Sequence, residues 1–196
     1  MAELTSTSNL FTLFSFNMWG KNQGSPFLTH ICNTLVPDII FLQEHWQTPT
    51  NLNSILNFSS VYLGYEISAM ERAVEKSVLK GRPYGGTATL IHNKWRAFIK
   101  IIATVERYVI IALSNLLLIN IYLLNNCSSV FNEVKAIFEE ISVYLDQYSN
   151  FTTIWRGDFI VDLHLPSRMS NYINMFMTKY SIDLSEIGRA SCRERV

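Results

Sequence analysis

The chain has 196 residues, of which 48% are hydrophobic and 16% charged, with 16 basic and 16 acidic side chains. That length and composition describe a packed globular protein, one domain or two small ones, and exclude an intrinsically disordered chain. The net charge of zero gives no global attraction for nucleic acid, so any contact with DNA has to be built locally.

Residues 1–9 are polar and rich in Ser and Thr, a loose start. Residues 10–16 run apolar with alternation and predict a strand that ends at Asn17, where an asparagine side chain commonly caps a turn. Gly20 and Gly24 bracket a turn. Ser25 as N-cap and Pro26 at the first helical position then predict a helix with Leu28, Ile31, Cys32 and Leu35 on its apolar face, closed by Val36-Pro37. The next stretch, PDIIFLQEHW at 37–46, is the centre of the chain. Its unbroken run Ile39-Ile40-Phe41-Leu42 suits a strand buried on both faces, and it delivers Glu44 just past the strand end. A carboxylate there either holds a cation or handles a proton, or it is a solvated loop charge. A lone histidine such as His45 is more often structural than a ligand, and it is left unassigned. Strand, helix, strand in that order suits a layered α/β protein.

Residues 51–57 predict a short helix and 60–65 a strand. Residues 68–80 carry Glu71, Arg72, Glu75, Lys76 and Lys80 with little apolar content, as a solvated loop or surface helix does. The glycines of Gly81-Arg82-Pro83-Tyr84-Gly85-Gly86 make a turn or allow close backbone approach, and a strand follows at 87–92. Arg82 is a phosphate contact or an ordinary surface arginine. Further strands are predicted at 97–105, 108–114 and 116–123. Residues 108–124 are the most membrane-like, but Ser114-Asn115 and Asn120 interrupt them, so they read as two strands joined by a tight turn, and no membrane segment is assigned. Tyr122, near the end of the second strand, packs its ring and bonds its hydroxyl at the rim. Residues 129–148 form the clearest helix, with Val130, Phe131, Val134, Ile137, Phe138, Ile141 and Leu145 at helical spacing and Ser128-Ser129 as its cap. A strand at 152–155 leads into Gly157-Asp158, and Asp162 and His164 read as strand-end or loop residues.

Cys32, Cys127 and Cys192 show neither zinc-ligand spacing nor a disulfide framework, so no disulfide partner and an intracellular setting are expected. No basic segment followed by an apolar one marks a signal peptide. The last eleven residues, EIGRASCRERV at 186–196, can be back-translated into a string that resembles a common sequencing adapter. They are expected to be an artefactual tail, leaving 1–185 as the domain. Without Arg189, Arg193, Arg195, Glu186 and Glu194 the rest carries a net charge of −1, and the basic tail is not a nucleic-acid patch.

FSFNMWG at 14–20, LQEHW at 42–46, GRPYGGTATLIH at 81–92, INIYLLNN at 119–126 and WRGDFIVDL at 155–163 occur in the order of a known pattern. Together they resemble the endonuclease/exonuclease/phosphatase superfamily, and within it the apurinic-type endonuclease domain of non-LTR (LINE-like) retrotransposons, over about residues 10–185. The resemblance implies a DNase I-like, four-layer α/β sandwich that hydrolyses a DNA phosphodiester with Mg²⁺ (or Mn²⁺), in the nucleus. Glu44 would hold the metal, Asp158 would orient or deprotonate the attacking water, and Asn17 and Tyr122 would position the phosphate and the metal shell. Arg82 would bind substrate, and the variable 68–80 loop would face DNA.

Two departures accompany it. The family's Gly-Asp-Phe-Asn is here Gly157-Asp158-Phe159-Ile160, which puts an alkyl group where an orienting amide is expected. The family's closing Asp-His pair in a serine-led motif does not occur, so the final strands are expected to be missing and this copy to be impaired or inactive. The alternatives are a phosphoinositide or sphingolipid phosphoesterase of the same fold, or a non-catalytic DNA-binding relic.

Overall fold

Eight strands form two four-stranded sheets in the computed structural model, which describes residues 11–76, 81–123, 130–159 and 161–182. The first sheet takes β1 (Leu13–Asn17), β2 (Ile39–Gln43), β3 (Tyr62–Ile67) and β4 (Thr87–His92) in the order β1-β2-β4-β3. The second runs β5 (Ile99–Val105), β6 (Tyr108–Leu113), β7 (Leu116–Tyr122) and β8 (Thr152–Asp158) in sequence order. Each sheet has one parallel pair, β1 with β2 and β7 with β8. A parallel pair needs a crossover, and each gets a helix: α1 (Lys21–Thr34) in the first sheet, α4 (Val130–Gln147) in the second. The short helices α2 (Asn53–Leu56) and α3 (Glu71–Glu75) lie between β2 and β4, and α5 (Arg168–Lys179) follows β8.

The pleat explains the apolar runs. Ile39 and Phe41 point between the sheets, where they meet Val109, Ile111, Leu116 and Leu118. Their neighbours Ile40 and Leu42 point outward under Leu28 and Cys32 of α1. On the far side Ile137, Phe138 and Ile141 of α4, with Ile173, Phe176 and Met177 of α5, cover Leu117, Ile119, Ile121 and Trp155. Both faces of both sheets are therefore covered, which is why alternation is lost in β2 and β7. The result is the expected four-layer α/β sandwich. The predicted hairpin between β6 and β7 is present, with Ser114 left-handed (φ 56°) at the turn. Among the described residues no helix is long and apolar enough to cross a membrane.

Four local expectations change. The first helix begins at Lys21 instead of after Ser25, because backbone bonds from Met18, Gly20 and Lys21 to the Gln43, Glu44 and His45 carbonyls turn the chain at once. Ser25 is no cap; its hydroxyl donates to the Lys21 carbonyl at 2.7 Å, and Pro26 lies inside the helix. Residues 93–98 form a 3₁₀ turn instead of opening β5, held by the Lys94 N–H on His92 Nδ1 and the Trp95 indole on Asp38. Helix α5 was not anticipated, and β8 runs on to Asp158. Cys32 is a buried free thiol, its pKa pushed up to about 11 by burial against the pull of a hydrogen bond with Tyr62. Ile160, Lys80, the Ser128-Ser129 cap, Cys127, Cys192 and the 186–196 tail lie outside the described residues.

Candidate active site

Strand ends bring the expected residues together. The parallel register pairs Asn17 with Gln43 in one sheet and Tyr122 with Asp158 in the other, so Asn17, Glu44, Tyr122 and Asp158 come to the same rim. Asn17 Nδ2 donates to Asp158 Oδ2 at 3.0 Å, across the two sheets. Its Oδ1 accepts the Trp19 N–H at 2.9 Å. The amide thus caps the turn with its oxygen and faces the Asp158 carboxylate with its nitrogen.

Glu44 is held in a left-handed conformation (φ 55°) that costs a non-glycine residue about 1–2 kcal/mol. Its N–H donates to the Gly86 carbonyl and its own carbonyl accepts from Gly20, both at 2.8 Å, so two loops pin the peptide that aims the carboxylate. The Tyr122 hydroxyl hydrogen-bonds Glu44. Burial, then the charges of Glu44 and Asp158, raise the tyrosine's pKa, while Arg107 pulls it back; the phenol stays protonated and donates. The Arg107 carbonyl also accepts the Tyr122 N–H at 2.8 Å, and its guanidinium pairs with Glu133 at 3.2 Å.

The paired glycines answer to close approach. Gly85 (φ 62°) passes so near Tyr122 that a Cβ would sit 2.7 Å from the ring, and one on Gly86 (φ 92°) would overlap His45. His45 is fully buried and structural: Nδ1 accepts the Gln47 N–H at 3.0 Å, leaving Nε2–H to donate to the Ile67 carbonyl at 3.1 Å. Arg82 is exposed on the rim with its guanidinium stacked 4.3 Å over the Trp46 ring. Asp162 and His164 sit in a loop, the His164 N–H on Asp162 Oδ1. The larger groove, about 510 Å³ along edge strand β3, carries no carboxylate.

One element beneath the rim escaped the sequence reading. Gln43 Nε2 donates to Asn120 Oδ1 at 2.8 Å, and Asn120 Nδ2 is within donating distance of the Leu42 and Ala88 carbonyls, at 3.2 and 2.8 Å. Both side chains are buried between the sheets, one residue before Glu44 and two before Tyr122. An asparagine inside the apolar run LLLINIY was the visible signal.

Among the described residues no group of three or more His, Cys, Asp and Glu side chains forms a metal cage. The donor set nevertheless fits Mg²⁺, which is bound through one or two carboxylates and keeps several water or phosphate ligands. Glu44 and Asp158 both act on the same tyrosine.

Two covered sheets whose parallel pairs end at one polar rim make a DNase I-like α/β sandwich. The chain has the fold of the endonuclease/exonuclease/phosphatase superfamily, as solved structures show. It is similar to the 3′ phosphatase NExo (D146N) from Neisseria bound to a product DNA hairpin, at TM-score 0.62 and 12% identity, over 87% of this chain and 71% of that one. An AP endonuclease from Archaeoglobus fulgidus is similar at TM-score 0.60 and 11% identity, over 87% and 70%. The endonuclease domain of TRAS1, a telomere-specific non-LTR retrotransposon, is similar at 0.60 and 10%, over 87% and 71%. No protein-family model and no curated protein matches the chain.

Proposed function

We propose that this chain is a metal-dependent DNA phosphodiesterase of the non-LTR retrotransposon endonuclease type, in a copy whose activity is impaired or lost. The observation that carries the reading is the meeting of Asn17, Glu44 and Asp158 around Tyr122, from strands far apart in sequence. Four of the five ordered sequence motifs carry these residues.

In this reading Glu44 holds Mg²⁺ or Mn²⁺, which when bound supplies positive charge against the phosphoryl oxygens. Asp158 orients the attacking water and takes its proton as the new P–O bond forms and the ester P–O bond breaks, and the departing sugar oxygen leaves as an alkoxide that takes a proton from solvent. Asn17 fixes the Asp158 carboxylate through its amide N–H. Tyr122, kept protonated, positions Glu44 and donates toward the phosphate. Arg82 contacts a neighbouring phosphate of the DNA strand. Ile160 supplies no amide to the developing charge, and the sequence holds no closing Asp-His pair. Loss of one such donor typically costs about 10²–10³ in rate.

Nicking of supercoiled plasmid in Mg²⁺ tests this. The chain itself is expected to give no detectable nicking, and Ile160→Asn alone is expected not to rescue it. Ile160→Asn with a related domain's C-terminal segment appended should nick, and Glu44→Ala or Asp158→Ala should abolish that. A folded chimera that cleaves a phosphoinositide and leaves DNA intact would overturn the assignment, as would robust nicking by the unmodified chain that survives Glu44→Ala.

A further inference from the structure

Along β2 and β7 the positions facing the opposite sheet run Ile39, Phe41, Gln43 and Leu116, Leu118, Asn120, so each strand ends its apolar row with an amide just below the rim. Both amides are buried. A buried amide costs stability unless it is bonded, whereas an aliphatic side chain would continue the row without that demand. Here the bonds are made. Asn120 Oδ1 accepts from Gln43 Nε2 at 2.8 Å, and Asn120 Nδ2 lies within donating distance of the Ala88 and Leu42 carbonyls, at 2.8 and 3.2 Å, and of Thr89 Oγ1 at 3.3 Å. Leu42 and Ala88 face each other in the β2–β4 ladder, so one side chain of the second sheet clasps two strands of the first.

The clasp sits directly behind the reacting groups. Glu44 follows Gln43, and its N–H is held by the carbonyl of Gly86, just ahead of the clasped Ala88. Tyr122 follows Asn120 on the same face of β7. Two other polar bonds cross between the sheets at the rim, Asn17 to Asp158 and Tyr122 to Glu44. Both use groups that a cation and a phosphate recruit, so neither can hold the sheets in place while those ligands are bound. The apolar rows below do not hold them either, because hydrophobic attraction is non-directional and tolerates sliding. A hydrogen bond fixes both distance and angle.

We propose that Gln43 and Asn120 are positioning residues: their buried clasp sets the place of Glu44 against Tyr122 and Asp158, and with it the affinity of the rim for a divalent cation. The proposal rests on the metal-dependent phosphodiesterase reading and deepens it, since part of the metal affinity then lies in two side chains that touch neither metal nor substrate. Groups standing behind a metal's ligands act in this way by fixing ligand orientation.

The experiment is calorimetric titration of Mn²⁺ into the full chain and its variants, each shown to be folded by circular dichroism at the titration temperature. The parent should bind Mn²⁺, and Glu44→Gln should abolish the binding. Gln43→Leu/Asn120→Leu, which replaces both amides by apolar side chains, should weaken Mn²⁺ binding about 10–100-fold, the range found for residues behind metal ligands. Stability and affinity should part company: relative to Asn120→Leu alone, the double variant makes up part of the expected loss in stability and none of the loss in affinity. A purely structural pair would not separate the two. Gln43→Met keeps the length of the side chain and gives up the bond to Asn120. It is the milder variant should the double one not fold, and it should weaken Mn²⁺ binding in the same direction. A folded double variant, or a Gln43→Met variant, that binds Mn²⁺ as tightly as the parent overturns the clasp and leaves the metal-dependent reading standing. A parent that binds no Mn²⁺, or whose binding survives Glu44→Gln, overturns both.

Discussion

Asn17 and Asp158, 141 positions apart, are joined by a 3.0 Å amide-to-carboxylate hydrogen bond that crosses from one sheet to the other. The bond depends on a donor facing an anion. Asn17→Asp places a second carboxylate there, and two such groups at contact distance do not both ionise freely. The variant is expected to lose about 1–3 kcal/mol at pH 7 and to recover part of it near pH 4, where one carboxyl is protonated. Urea denaturation at the two pH values checks this. A variant equally stable at both would show that the two groups do not interact.

The buried pair beneath the rim makes a second test. Asn120→Leu takes its amide from the Ala88 carbonyl and leaves Gln43 Nε2 only Ser15 Oγ, at 3.5 Å, at about 1–3 kcal/mol for each buried group deprived of its partner. Gln43→Leu combined with Asn120→Leu removes both ends together. The double variant should be destabilised by clearly less than the sum of the singles, because neighbours in one network are not additive. Additive losses in urea denaturation would refute the coupling.

Much of this architecture is visible in the residues. Continuous apolar runs announced β2, β6 and β7, and the Val130-to-Leu145 stripe announced α4, because burial on both faces or on one stripe leaves a direct mark on composition. What failed depended on long-range bonds. The early start of α1 comes from carbonyls of residues 43–45, which no local pattern reports. Helix α5 was legible in part: Met169, Ile173, Phe176 and Met177 have helical spacing, but its capping box pairs Ser167 with Ser170, not with Glu or Gln. The rim residues were found through motif resemblance; composition alone does not separate Glu44 from a solvated loop charge. Asn120 was noted only as a break in an apolar run, since a buried amide reveals its purpose only once its partners are known.

His45 gives a pH dependence of definite sign. Burial holds its pKa down at about 4, from 6.5, against the upward pull of hydrogen bonds with the Ile67 and Thr87 backbone. Between those two values the unfolded chain takes up a proton that the folded chain refuses. Stability is therefore full above pH 6.5 and falls as the pH drops toward 4, by about 3 kcal/mol in all. Asp38 acts lower. Burial raises its pKa, but Lys94, Thr12 and Trp95 outweigh that and hold it at about 2, so its contribution is lost only below about pH 4. Thermal midpoints from pH 7.5 to 4 should decline in the parent and flatten in His45→Gln. A decline of the same size in that variant would assign the titration elsewhere.

The paired glycines give the last test. Gly85 is left-handed at φ 62°, and a Cβ there would stand 2.7 Å from both the Ala69 Cβ and the Tyr122 ring. An alanine meets two independent costs: the backbone strain of a left-handed residue, about 1–2 kcal/mol, and overpacking in a filled site, typically about 1–3 kcal/mol. Gly81 offers a control, with a comparable φ of 87° and nothing within 4 Å of its virtual Cβ. Gly81→Ala isolates the backbone cost, so Gly85→Ala should destabilise more, by roughly the overpacking increment. That increment is shared between Ala69 and Tyr122. Gly85→Ala/Tyr122→Ala, with the ring removed, should lose less than the sum of its parts, because the clash with the ring is gone and only the approach to Ala69 remains. Equal melting temperatures for Gly81→Ala and Gly85→Ala would show that the glycine is there for its turn alone, and that the close approach to the tyrosine has no energetic consequence.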